Sequence, residues 1–257
     1  MIYQKALGKD YVFSANGNLL GIPSRFSIGT AEHNGVLIGD KFKRNTISVN
    51  MSPSALDNKI NVDFNLRYMD TDNHFADRGA IGSALRFDPT KPVYNGSQYD
   101  GYYAWIDPAS GNQFAIGAPT NPLALLNLID DQSDVERIIT NFKVDYDLNI
   151  DGLTATVNLA YDESSSNGSR VTSELIPTSD PTWNGSLSTY NQIATNTLLD
   201  AYLTYETNFD ESSLNAVIGY SYQAFEFDNF SYDSEAEEDG NDYELSLIHI
   251  SEPTRPR

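Results

Sequence analysis

No cysteine occurs among the 257 residues, which excludes disulfides, thiol catalysis and thiolate metal sites together and by itself fixes no compartment. No run of about 18 apolar residues is present either, so no helix is expected to cross a membrane. A membrane β-barrel is untouched by that absence, because its strands carry only a weak alternating signal. Positive charge is scarce: Lys and Arg number 16 against 36 Asp and Glu, for a formal charge of −20 and a pI near 4.2. A chain this acidic repels phosphate backbones, so nucleic acid is not an expected partner. Tryptophan is rare at two residues, while Tyr (16) and Phe (12) are plentiful. The opening "MIYQKALGKDYVFS" has no apolar core of the signal-peptide kind. It leaves a cytoplasmic chain or a piece of something longer as the expectation.

What the sequence does have is period-two alternation. In "KINVDFNLRYMD" (59–70), Ile60, Val62, Phe64, Leu66 and Tyr68 form one column, and Asn61, Asp63, Asn65, Arg67 and Met69 the other. "TNFKVDYDLNI" sets Phe142, Val144, Tyr146, Leu148 and Ile150 against Asn141, Lys143, Asp145, Asp147 and Asn149. "LTATVNLAYD" sets Leu153, Ala155, Val157, Leu159 and Tyr161 against Thr154, Thr156, Asn158, Ala160 and Asp162. Strands are predicted at about 10–16, 23–32, 41–52, 59–71, 136–149, 153–164, 194–208 and 213–227.

Alternation alone fits a soluble sandwich with one wet face as well as a membrane wall. Three features favour the wall. Several strands reach the roughly 9–11 residues that a tilted strand needs to span a bilayer. Tyrosines end the apolar columns at Tyr68 and Tyr161 and sit late in others at Tyr205, Tyr220 and Tyr222, as interfacial girdles do. Connections alternate between short ("PSALDN", "IDG", "FDESS") and long (72–135, 165–193 and everything after about 228), which puts the long ones at one end of a meander. In the first long connection, "DRGAIGSALRFDP" and "NPLALLNLIDD" each read as a short helix, the second with Asn121 as N-cap and Pro122 at the first helical position.

The combination of "HFADRGAIGSALRFDPTKPVY" (74–94), "NPLALLNLIDDQSDVERIITNFKVDYDL" (121–148), "IGYSYQAFEFDNF" (218–230) and the hairpin "SRFSIGTAEHNGVLIGDKFKRNTISVNMSPS" (24–54) resembles the SusC/RagA family of TonB-dependent outer-membrane transporters. The resemblance implies an all-β fold in which about eight antiparallel up-and-down strands form part of a large outer-membrane barrel with long outer loops. In that family the barrel encloses an N-terminal plug and imports glycans or peptides beneath a SusD-like lipoprotein lid, with energy relayed by the TonB complex. The implied partners are therefore that lid, TonB, an oligosaccharide or peptide substrate and the lipid bilayer, and the implied location is the outer membrane. No signal, plug or TonB-contacting segment is recognised here. The expected domain is a partial receptor barrel over 1–244. Residues 245–255, "LSLIHISEPTR", look like translated sequencing adapter, which makes 245–257 an expected artefactual tail.

Catalytic and metal sites find little support. "DLNIDGLTATVN" (147–158) matches the first positions of a calcium loop at Asp147, Asn149, Asp151 and Gly152, but Asn158 stands where the bidentate glutamate belongs. An Asp-Gly turn accounts for it. His33 is expected in a hairpin loop beside Asn34-Gly35, and no nucleophile elbow or phosphate loop occurs. No cofactor, metal or catalytic residue is expected. The Asn-Gly-Ser triplets at 95, 167 and 184 read as turns. The acidic run 233–244 reads as a solvated loop tip. Binding is better supported: Tyr99, Tyr102, Tyr103 and Trp105 in the long loop and Trp183 in the next are candidate substrate contacts, with packing of the loop as the competing role. Asp63, Asn65, Arg67, Asn141, Lys143, Asp145, Thr156 and Asn158 are candidate lumen-lining residues. Two other architectures stay open: a surface or soluble β-sheet glycan-binding module, and a small closed eight-strand barrel.

Overall fold

The computed structural model describes residues 1–111, 113–180, 182–209 and 212–235. Its strands are β1 (Gly8–Leu19), β2 (Ile22–Asn34), β3 (Lys41–Met51), β4 (Ser54–Ala55), β5 (Ile60–His74), β6 (Ile106–Asp107), β7 (Gln113–Phe114), β8 (Ile129–Asp147), β9 (Leu153–Thr172), β10 (Ser186–Phe209) and β11 (Ser212–Glu235), with helices α1 (Gly79–Arg86) and α2 (Pro122–Asn127). The long strands form one antiparallel sheet in the order β1-β2-β3-β5-β8-β9-β10-β11, with β4 added at the start of β5. All eight predicted strands are present, and the sheet is an unclosed meander. The tail 245–257, with His249, and most of the acidic run lie outside the described residues.

The ladder aligns the apolar columns into rows. At one level Met51, Phe64, Phe142, Leu159, Leu199 and Tyr222 stand side by side. Two residues towards the short turns come Val62, Val144, Val157, Ala201 and Tyr220, then Ile60, Tyr146, Ala155, Leu203 and Ile218. Directly opposed residues in an antiparallel pair share a face, so these rows form one continuous apolar surface. The other face carries rows such as Asp63, Lys143, Asn158, Asp200 and Ser221. From Ile60 to Tyr68 the apolar column is about 27 Å long at ~3.4 Å per residue, or about 19 Å of height at a tilt near 45°. Above Tyr68 the same face turns acidic, with Asp70 opposite Glu136 and Asp72 opposite Asp134.

Among the described residues no second layer covers that surface. Phe142 is 42% exposed, Leu159 45% and Ile218 73%. The buried apolar clusters lie instead at the loop end: Ile2, Leu37, Ala76, Ala80 and Leu126 in one, Tyr99, Ala104 and Phe114 in the other. Among the described residues no helix is long and apolar enough to cross a membrane.

Tight turns join the strands at the far end. Leu20 (φ 52°) and Gly21 (φ 85°) form a two-residue hairpin turn with both central residues left-handed. At the β8–β9 turn, the Asp147 carboxylate accepts the Asn149 N–H at 3.0 Å, and Gly152 (φ 77°) lies where a Cβ would strike the Glu206 carbonyl. The calcium-like loop is a turn.

Several expectations need correction. Strands rise further than alternation shows: β9 continues to Thr172 and β10 starts at Ser186, so the long connections shrink to 75–128 and 173–185. Above the apolar band both faces are wet, and "ESSSNGSRVT" loses the two-sided contrast that marks a strand. Asn167-Gly168 is accordingly inside β9, not in a turn, and Gly168 gives way to the Tyr190 ring. His33 lies in β2, paired with Asp10 at 3.0 Å, because the strand runs on to Asn34. Leu148 and Ile150 fall in the turn after β8 and do not extend its column. At the loop end, the β2–β3 connection is short, so long connections do not occupy every position there.

The two faces make opposite demands on charge. Phe64→Lys in the complete gene product is expected to cost about 2–4 kcal/mol at mid-membrane and to abolish heat-modifiable barrel in the outer-membrane fraction. Asn65→Lys is expected to assemble at the parental level, and equal loss in both variants would contradict the assigned faces.

Candidate functional site

The polar face of the sheet is held together by side chains that hydrogen-bond across strands. The Lys143 ammonium sits 2.8 Å from Asp145, whose carboxylate also accepts the Thr156 hydroxyl at 2.7 Å. Asn141 donates to Asn158 at 2.7 Å, and Ser52 donates to Asp63 at 3.1 Å. Asn65 stands between Asn50 and Asn141, and Arg67 between Ser48 and Ile139. Higher up, Arg137 makes a two-pronged pair with Asp162 at 2.8 and 2.6 Å. The predicted lumen residues therefore share one face, as their alternation required. On that face charges are paired and amides bridged.

The long connection is a folded unit and not a plain loop. The two expected helices form, and Asn121 caps α2 by accepting the Leu123 N–H at 3.0 Å. The same side chain, fully buried, donates to the carbonyls of Val93 (2.8 Å) and Tyr103 (3.4 Å). One amide thus fixes the start of a helix and two passing segments. Arg170 on β9 binds Asp131 at 2.7 Å and also Asp77 just before α1, which ties the base of the unit to the wall. The Thr120 hydroxyl donates to the Pro177 carbonyl at 3.3 Å and links this unit to the second loop.

The five aromatic candidates separate into three environments. Tyr102 is buried, its hydroxyl accepts from Asn127 at 2.7 Å, and its ring packs 4.8 Å from that of Tyr94. Tyr103 and Trp105 meet edge to face at 5.4 Å beside Phe87, with the Lys91 ammonium 5.9 and 5.6 Å from their ring centres. Tyr99 and Trp183, from different loops, line one pocket of about 270 Å³ with Gln98, Gln113, Glu174 and Asp180. The Tyr99 hydroxyl accepts the Phe114 N–H at 3.0 Å, and the Trp183 indole N–H donates to the Ser173 carbonyl at 3.1 Å. Asp180 accepts both the N–H (2.9 Å) and the hydroxyl (2.7 Å) of Thr182. The Thr182 N–H, with help from its hydroxyl, holds the Asp180 carboxyl below the usual carboxylate range.

Sequence reading found the two aromatics of this pocket but not its polar members. Gln98 and Gln113 lie in polar loop sequence, and Glu174 and Asp180 are two carboxylates among many. Nothing local marks them; only the docking of one loop on the other does. Among the described residues no cluster of His, Asp or Glu is arranged to hold a metal ion.

No family profile matches the chain. Over 158 residues it is 35% identical to the TonB-dependent receptor SusC of Bacteroides thetaiotaomicron, a match covering 56% of this chain and 16% of that protein. The RagAB peptide importer in its closed-closed state superposes with a TM-score of 0.68 at 19% identity, covering 95% of this chain and 27% of the other. The open-open state gives 0.67 over the same shares.

The chain is SusC/RagA-like. Its open sheet has the fold of part of the RagA β-barrel, and the chain spans about a sixth of the curated relative's length and about a quarter of the structural ones. The SusC/RagA-like wall carries its polar rows on one face and its apolar rows on the other, and its folded loops crown one end.

Asn121→Ala in the full-length protein removes a helix cap and two buried hydrogen bonds. A local loss of about 1–3 kcal/mol is expected, read as faster protease cleavage within 75–128 on intact cells. Asn121→Asp keeps the acceptor for Leu123 but sets a buried carboxylate oxygen against the Val93 and Tyr103 carbonyls, and is expected to lose at least as much as the alanine variant.

Proposed function

We propose that this chain supplies wall and outer loops to a TonB-dependent outer-membrane importer of oligosaccharides or peptides that works beneath a SusD-like lipoprotein lid. The observation that carries the reading is the single-layer sheet with an apolar outer face and a polar inner one, joined to a SusC-like sequence. Among the described residues β1 and β11 each have one neighbour. In hydrocarbon every unpaired backbone group costs several kcal/mol, so the wall works only when further strands continue it on both sides. A domain of partial barrel over 1–244 fits that requirement.

In this mechanism the chain does no covalent chemistry, and the matched proteins are a receptor and transporters. Substrate is captured between the outer loops and the lid. A plug inside the barrel is then displaced by force relayed through TonB, and substrate passes along the wall of Asp63, Asn65, Arg67, Asn141, Lys143 and Asp145. Paired charges and bridged amides on that wall offer exchangeable hydrogen bonds, which suit a hydrated path better than a tight site. A soluble glycan-binding module would need a second layer over Phe64, Phe142 and Leu159, and the described residues provide none.

The reading is tested on the complete gene product in its own host. It is expected in the outer-membrane fraction, resistant to high salt and carbonate and released only by detergent, with nutrient uptake lost when TonB is deleted. Recovery as a freely soluble protein would overturn it.

A further inference from the structure

We infer that the pocket between the two outer loops holds one ring of a neutral oligosaccharide and turns acidic sugars away. This deepens the importer reading and rests on it. The pocket joins Gln98, Tyr99 and Gln113 of the long connection to Glu174, Asp180 and Trp183 of the next. At about 270 Å³ it lies just under the ~300–1,000 Å³ of drug-sized sites and suits a single ring.

The chemistry of its lining separates three ligand classes. Trp183 is half-buried with its N–H donated to Ser173, so what it adds to the pocket is apolar ring surface, the partner for the C–H side of a sugar; Tyr99 is buried against Phe114 and forms the floor. Gln98 and Gln113 each both donate and accept, and Glu174 and Asp180 accept. Sugar hydroxyls, which also do both, can pair with all four. A lysine or arginine side chain is a donor only and can use the carboxylates and the glutamine carbonyls but none of the glutamine N–H groups. A carboxylate-bearing sugar meets two carboxylates and, among the described residues lining the pocket, no Lys, Arg or His. The chain's formal charge of −20 adds to that repulsion within the ~8 Å over which charge acts at physiological salt.

The test uses the full-length protein in detergent, titrated by calorimetry with cellohexaose, maltohexaose, xylohexaose and mannohexaose, and with hexagalacturonate and hexalysine. At least one neutral hexasaccharide is expected to bind. Trp183→Ala is expected to weaken it about tenfold or more, a change of ~1.4 kcal/mol, while Trp183→Phe keeps most of the affinity. Hexagalacturonate and hexalysine are expected to show no Trp183-dependent binding. Gln98→Ala, at an exposed position, gives a second reading of the site if the tryptophan variant fails to assemble, with a fall in affinity expected. The inference is overturned if no neutral hexasaccharide binds, if these variants bind as the parent does, or if either charged hexamer binds as tightly through Trp183. Each of those results in a protein that is still a detergent-extracted outer-membrane importer removes the sugar pocket alone. A protein found soluble removes the importer reading itself.

Discussion

A one-layer sheet has no interior, so the side chains on its apolar face have to be surrounded by something other than protein. Every other feature of this chain follows from how that constraint is met. Rows such as Met51, Phe64, Phe142, Leu159, Leu199 and Tyr222 are brought into line by the ladder. At roughly 1.5–3 kcal/mol for each large side chain removed from water, a surface of this extent cannot be left wet. In the importer reading, acyl chains satisfy it without a covering layer. They also require that no backbone group be left unpaired in the wall, which is why long, regular, antiparallel strands occupy most of the described residues.

The opposite face and the loop end obey different rules. Facing water, the inner rows need no burial and gain order from hydrogen bonds between side chains on neighbouring strands, as between Lys143, Asp145 and Thr156. The loop end is where protein packs on protein. Its small clusters, the cap at Asn121 and the Arg170 tie to Asp77 and Asp131 make a solid rim from what would otherwise be about fifty residues of connection (75–128). Recognition by such a rim depends on surfaces held in place before a substrate arrives, since ordering loops on binding lowers affinity.

Legibility in the sequence tracked physical contrast. Where one side of a strand is apolar and the other polar, as in 59–70, alternation was plain, and that Asp63, Asn65 and Lys143 share a face followed from it. Where both sides are wet, in the upper halves of β9 and β10, the contrast vanishes, and "ESSSNGSRVT" read as loop although it is strand. Asn167-Gly168 misled for the same reason: its glycine is there for the neighbouring Tyr190 ring, a contact between strands that no local pattern carries. Asn121 with Pro122 was readable because a helix start is a local event. The division of the five aromatics was not readable, since Tyr102, Trp105 and Trp183 differ only in what lies across from them.

The sequence by itself determined the all-β class, the number of long strands, the presence of two short helices with the start of the second, and the residues sharing each face, because period-two patterning and capping act over a few neighbouring residues. Only the tertiary structure decided how far the strands run past the apolar band, that no described residue covers the apolar rows, and that Tyr99 and Trp183 meet in one pocket with Gln98, Gln113, Glu174 and Asp180. Those features depend on contacts between segments tens of residues apart, and no spacing along the chain encodes them.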